Sequence, residues 1–268
     1  MMEYEVRFYY AKEELNKILE NLKQQKDLTN LPRTYEKTIQ YNHCDSRYDF
    51  YSKEIDGRFR VRVSSNDNET TSKLSWKRRL KSTTDTEVNK EEEKEVIISP
   101  EDIDNFLFIV ENVMHFSIVE SYERYRTSFE NEEIEISVDE YPFGICIEVE
   151  NKSKTKDPEI TVKKWVQLIG LDISDAYRLS WDDKYLELCR AEGIKVYSEV
   201  TFDKPMPSIK KKIGYKKDNI KSTWINIKYF YLYKLSGINI SRKSIISCLE
   251  YLLLFFNHSV QTFNTPPI

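Results

Sequence analysis

The stretch "RFRVRV", residues 58–63, alternates without a break. Successive side chains of a strand point to opposite faces, so Arg58, Arg60 and Arg62 share one face and Phe59, Val61 and Val63 the other. The pattern recurs along the chain. "EYEVR" (3–7) sets Glu3, Glu5 and Arg7 against Tyr4 and Val6, and "KLSWKRR" (73–79) groups Lys73, Ser75, Lys77 and Arg79. Arg124 and Arg126 share a face, as do Glu133, Glu135, Ser137 and Asp139. In "GICIEVE" (144–150), Gly144, Cys146, Glu148 and Glu150 oppose Ile145, Ile147 and Val149. Six strands thus carry one apolar face and one face dense in charge of a single local sign.

An open antiparallel sheet would turn such faces to water, as many do. Three arginines on adjacent positions of one face repel each other, however, unless acids or anions lie opposite. The acids are there, on strands 3–7 and 144–150, at the two sequence ends of the strand set. A closed barrel brings those ends together around a charged interior. Its apolar outer faces would be covered by the helices that hydrophobic spacing predicts at 11–24, 100–114 and 160–190. The expected fold class is therefore α+β, a closed antiparallel eight-stranded tunnel with a polar interior and helices outside.

The remaining strands are expected at 88–99, 117–130, 132–141 and 143–151, and in "DFYSKEIDGRFRVRVSS" (49–65) as a hairpin turning at Asp56-Gly57. Helix stops fall at Gly170 and Gly193. The tunnel domain is expected over 1–195, a basic linker over 196–222, and an apolar, aromatic, helical extension over 223–268. The run "IISCLEYLLLFF" (245–256) is broken by Glu250 and is shorter than the roughly 20 residues that span a bilayer. No membrane contact is expected from it.

The whole chain has 268 residues, 40% hydrophobic, and a net charge of −4, so any anion site must be a local cluster and not a general basic footprint. Cys44, Cys146, Cys189 and Cys248 are scattered, with no C-x-x-C pair. That spacing gives neither a zinc ribbon nor a disulfide framework, and it points to the reducing cytoplasm. His43, His115 and His258 show no ligand spacing.

Four glutamates from two strands, with Asp139 beside them, form an oxygen-rich cluster suited to Mg²⁺ or Mn²⁺. A separate set of Arg and Lys suits phosphate oxygens, which the planar guanidinium grips in pairs. Metal ions beside a basic clamp are the parts for phosphoryl transfer, and the number of basic positions fits a triphosphate.

These residues resemble the CYTH, or triphosphate tunnel metalloenzyme, superfamily. Its E-x-E-x-K strand resembles Glu3-Tyr-Glu5-Val-Arg7, and its R-x-R strand Arg60-Val-Arg62. "LSWK", ending in Lys77, resembles the next basic strand, and Arg124-Tyr-Arg126 the later one. Asp139 followed by "GICIEVE" resembles the terminal acidic signature, and "WDDKYLEL" the closing helix. The similarity covers about residues 1–190. It implies that Glu3, Glu5, Glu148 and Glu150 bind metal and act in catalysis, with Asp139 a further ligand. It implies that Arg7, Arg60, Arg62, Lys77, Arg124 and Arg126 hold phosphates, and that Lys184 reaches the tunnel mouth as a catalytic group. Arg7 departs from the family lysine. The acidic strand at 91–95 lacks clean spacing, so none of Glu91, Glu93 and Glu95 is expected as a ligand.

The implied activity is metal-dependent hydrolysis of the terminal phosphate of tripolyphosphate, a nucleoside triphosphate or another organic triphosphate. A class IV adenylyl cyclase, an RNA 5′-triphosphatase and a noncatalytic polyphosphate binder are the alternatives. The expected partner is a small-molecule triphosphate, with an RNA 5′ end second, and the expected state a monomer or homodimer. Lys210, Lys211, Lys212, Lys216, Lys217 and Lys221 read as a solvated linker, or as a steering surface for RNA.

Overall fold

A closed barrel encloses both faces of such strands, and the computed structural model shows one. It describes residues 2–81, 86–152 and 156–214. Eight strands form the barrel: β1 (Met2–Tyr10), β2 (Thr34–Asn42), β3 (Gly57–Ser65), β4 (Thr70–Arg79), β5 (Asn89–Ile98), β6 (Ser117–Glu130), β7 (Ile134–Tyr141) and β8 (Gly144–Asn151). Every neighbouring pair is antiparallel, in the order β1-β5-β4-β3-β2-β6-β7-β8, and β8 pairs with β1 to close the ring. At that seam Glu5 lies opposite Glu150 and Arg7 opposite Glu148. The two sequence ends of the strand set are therefore neighbours.

The outward faces are apolar and covered. Val6, Phe8, Ile136, Val138, Ile145, Ile147 and Val149 pack with Ile18 and Leu22 of α1 (Leu15–Lys23) and with Val162, Trp165 and Val166 of α3 (Pro158–Leu168). Each fully buried Ile or Phe contributes roughly 1.5–3 kcal/mol through loss of hydrated surface. On the far side, Tyr41, Val61 and Leu74 lie under α2 (Ile103–Phe108) and the π turn that follows it. α4 (Trp181–Glu192) starts from a capping box in which Ser180 and Asp183 satisfy each other's backbone donors, and it ends at left-handed Gly193. Trp181 and Tyr185 carry it onto Tyr122, Tyr141 and Phe143, at one end of the barrel.

Two elements differ from expectation. Residues 49–55 form turns, with Gly57 N donating to Phe50 O and Asp56 N to Ser52 O, so Asp56-Gly57 is not a hairpin turn. Gly57 is needed for a close approach: a Cβ there would lie 2.4 Å from the Trp76 ring. The eighth strand is "TYEKTIQYN" (34–42), which turns Glu36, Thr38 and Gln40 inward, all buried.

The expected boundary at 195 also moves. Glu199–Val200 adds a parallel rung to β6, Ile209 N donates to Phe143 O, Lys211 O accepts from Ala11 N, and Ile209 and Ile213 are buried. The stretch 196–214 is packed against the barrel and is not a free linker. The described residues fall within the first of two units of the chain, Met1–Tyr215. The extension expected at 223–268, and Lys216, Lys217 and Lys221, lie outside the described residues. No helix among the described residues is long and apolar enough to cross a membrane.

Candidate active site

The barrel encloses a cavity of about 260 Å³ whose walls differ in sign. The acidic wall is β8-β1-β5. Glu3, Glu5 and Glu150 each bring a carboxylate oxygen within 4.8 Å of the others. Lys77, reaching across from β4, stands 2.9 Å from Glu3, 2.8 Å from Glu5, 3.5 Å from Glu91 and 4.0 Å from Glu150. One ammonium thus serves four carboxylates. Burial and the neighbouring Glu150 and Glu93 push the Glu3 carboxyl up to about 9 despite Lys77. Burial and Glu148 hold Glu150 near 7, and Glu5 is also raised, chiefly by burial.

The basic wall lies opposite. Arg60 meets Glu93 at 3.2 Å, and Arg62 meets Glu36 at 3.6 Å. Arg124 is held between Glu36 (2.6 Å) and Asp139 (2.7 Å), and Arg126 between Asp139 (2.7 Å) and Glu148 (3.0 Å). Arg7 joins the walls, contacting Glu5 and reaching Glu91 at 3.3 Å and Glu148 at 2.8 Å. Burial alone would raise Glu91, Glu93 and Glu148, but the cations outweigh it, so all three fall, Glu91 and Glu93 to about 2. The repulsion among Arg58, Arg60 and Arg62 is answered one by one, by Asp182, Glu93 and Glu36.

Neither a family model nor a curated protein matches the sequence. Solved structures do match its fold. The PH1819 protein of Pyrococcus horikoshii superposes with a TM-score of 0.54 at 22% identity, over 69% of this chain and 98% of that one. The PH1012 protein of the same organism gives 0.50 at 15% identity over 68% and 98%. A Vibrio parahaemolyticus protein named as a candidate adenylate cyclase gives 0.51 at 14% identity over 67% and 96%. The chain has the CYTH, or triphosphate tunnel, fold.

Within the tunnel the sequence motifs fall as follows. Glu3, Glu5, Arg7, Arg60, Arg62, Lys77, Arg124, Arg126, Asp139, Glu148 and Glu150 all belong to the two facing walls. Asp139 and Glu148, expected as metal ligands, are instead engaged by Arg124, Arg126 and Arg7, and neither joins the three-carboxylate group. Lys184 lies off the cavity wall. It sits one turn into α4, where its ammonium pairs with Glu187 at 3.1 Å and lies 4.7 Å from the Tyr177 ring centre, outside the cavity lining. Only Ser180, Trp181 and Asp182, at the start of that helix, line the tunnel.

Other residues were missed. Glu91 and Glu93 face inward, and their alternation is masked by the unbroken run "EEE" at 91–93. Glu36 is on the missed strand. Tyr122 stands among Arg60, Arg62 and Arg124; burial opposes its ionisation, yet the three guanidiniums bring it down to about 8.

The crowded carboxylates fit a divalent cation. They offer hard oxygen donors only, and Glu3 Oε2 and Glu5 Oε1 are buried with no hydrogen-bond donor in good geometry, beside Lys77 and Arg7. A pH dependence follows for the metal-free protein. Unfolded carboxyls release their protons near 4.5, whereas the folded chain keeps them at Glu3 (about 9), Glu150 (about 7) and Glu120 (about 8). The folded state therefore binds more protons, and stability falls as pH rises from about 5 to about 8. Groups with lowered values, such as Glu91 and Glu93, are ionised in both states across that window. Urea titrations in chelator at stepped pH check this, and a stability that rises over the window contradicts it.

Proposed function

We propose that the protein is a divalent-metal-dependent triphosphatase that removes the terminal phosphate of a triphosphate, with Glu3, Glu5 and Glu150 holding Mg²⁺ or Mn²⁺. The observation that carries this reading is the facing pair of walls: three carboxylates grouped on one side, and buried or half-buried guanidiniums on the other. Held there, a divalent ion would supply Lewis-acid charge against the phosphate oxygens.

The chain's own residues then divide the work. Arg60, Arg62, Arg124 and Arg126 grip phosphate oxygens, their planar forks oriented in advance by Glu93, Glu36, Asp139 and Glu148. Asp139 and Glu148 act in this reading as positioning residues for arginines. Lys77 keeps its proton, because the surrounding carboxylates more than offset the cost of its burial. It therefore binds and does not act as a base. Arg7 is fixed in charge for the same purpose.

The test is a product assay on tripolyphosphate and ATP with Mg²⁺ and with Mn²⁺. Orthophosphate is the expected product, and none is expected in chelator. Pyrophosphate with cyclic AMP would make the protein a cyclase. A thermal shift with tripolyphosphate but no turnover would make it a binding module.

A further inference from the structure

The two ends of the tunnel differ in construction. At the end where α4 begins, polar pairs cross the opening: Arg58 to Asp182 at 3.1 Å, Arg79 to Asp56 at 3.2 Å, and Gln40 to both Glu120 and Tyr51. At the other end a second cavity, of about 230 Å³, adjoins the first and shares Arg62, Lys73, Arg126 and Glu135 with it. Its own walls carry the hydroxyls of Thr34, Ser64, Thr71 and Ser128, and the Glu36 carboxylate.

Lining chemistry separates the tasks of the two spaces. The central cavity is walled by facing carboxylates and guanidiniums, which suit a phosphate chain and its counter-ions. The two cavities meet at Arg62 and Arg126, so a group attached to phosphates held by these guanidiniums can extend into the outer one. There it meets a surface able both to donate and to accept hydrogen bonds. Ser64 Oγ donates to Glu36 Oε1 at 3.0 Å, a hydroxyl–carboxylate pair that a second hydroxyl can join. No aromatic ring lines this cavity, and Leu31 and Pro32 are its apolar members. A planar base would find nothing to stack on.

We propose that the outer cavity binds the ribose of a nucleoside 5′-triphosphate through its hydroxyls and leaves the base in solvent, so that the protein selects the sugar and ignores the base. This rests on the triphosphatase reading of the central cavity. Inorganic tripolyphosphate has no sugar to fill the cavity, and it brings further negative charge towards Glu36 and Glu135. A site that pairs with a hydroxyl rejects an analogue lacking it. The half-buried setting of Ser64 and the exposed one of Thr71 limit the effect to about tenfold.

The experiment compares kcat/KM for ATP, GTP, CTP, UTP, 2′,3′-dideoxy-ATP and tripolyphosphate in the full chain and in the Ser64→Val, Thr71→Val double variant. The four ribonucleotides are expected within about threefold of one another, with dideoxy-ATP and tripolyphosphate about tenfold lower. In the double variant the ratio of ATP to tripolyphosphate should fall about tenfold, with the thermal unfolding temperature as the check on folding. A tenfold spread among the four bases, equal values for ATP and dideoxy-ATP, or an unchanged ratio in the variant would overturn the proposal. A triphosphate-ended RNA presents a ribose whose 2′-hydroxyl is free but whose 3′-oxygen is esterified, and turnover faster than that of ATP would overturn the assignment of the cavity to a free nucleoside triphosphate. If no triphosphate is turned over, the hydrolase reading falls. The sugar preference is then read from Kd by calorimetry with the same ligands.

Discussion

The Glu5→Gln, Glu150→Gln double variant is expected to lose at least a thousandfold in phosphate release while keeping its fold. A loss of that size corresponds to about 4 kcal/mol of transition-state stabilisation, within what a bound metal ion supplies. The fold survives because each cation involved has other partners. Lys77 keeps Glu3 and Glu91, and Arg7 keeps Glu91 and Glu148. Burial raises both carboxyls, so an uncharged amide relieves a desolvation cost at each position. The unfolding temperature in chelator should therefore match the wild type or exceed it. Titration with Mn²⁺ should show a correspondingly weaker thermal shift. Turnover within tenfold of wild type would remove these residues from the metal site.

Arg124→Ala is the variant expected to damage the fold most. Arg124 is buried and bonded to Glu36 and Asp139, both also buried. Deleting one partner of a buried ion pair costs about 3–5 kcal/mol, mostly because the other charge stays behind in low dielectric. Glu36 retains Arg62 at 3.6 Å and Asp139 retains Arg126, so the lower figure applies. With about 2–4 °C lost per kcal/mol in a chain of this size, the unfolding temperature should fall by roughly 6–12 °C. Acidification gives the complementary result. The Glu36 carboxyl is held well below the ordinary range: burial opposes its ionisation, but Arg124 and Arg62 outweigh burial. Its contribution is complete above pH 4.5 and fades as pH drops further, and Arg124→Ala should flatten that acid limb. Calorimetric scans of both proteins at pH 3, 4 and 6 test the pair. An unfolding temperature within 2 °C of wild type at pH 6 would mean that the arginine is dispensable to the fold.

The barrel was readable in the sequence wherever one face was charged and the other was not. Ser117–Glu130 coincides with the strand expected at 117–130, because Arg124 and Arg126 alternate with Tyr125 and Thr127 in a long unbroken run. Thr34–Asn42 escaped because its inward face is mixed, with Glu36, Thr38 and Gln40 presenting no single sign. Asp56-Gly57 misled because a glycine needed for contact with Trp76 has the same letter as one needed for a turn. The site shows the same division. E-x-E and R-x-R spacings mark which side chains face inward, and they do so correctly. Which acid pairs with which cation depends on neighbours across the barrel, and Asp139 and Glu148 turned to arginines for that reason. Helical phase sets Lys184 apart from the cavity wall, which α4 reaches only with its first residues.

The seam between the first and last barrel strands ties competence to completeness. Arg7 and Glu148 touch across 141 residues of chain, and Glu5 lies opposite Glu150 two residue pairs along the same seam. No shorter fragment holds both halves of the carboxylate group, and contacts so distant along the chain form late and at high entropic cost. A nascent copy thus holds Glu3 and Glu5 from the start but lacks Glu150 until the last barrel strand is made, and on the proposed reading the onset of turnover would report that the cylinder has been zipped shut.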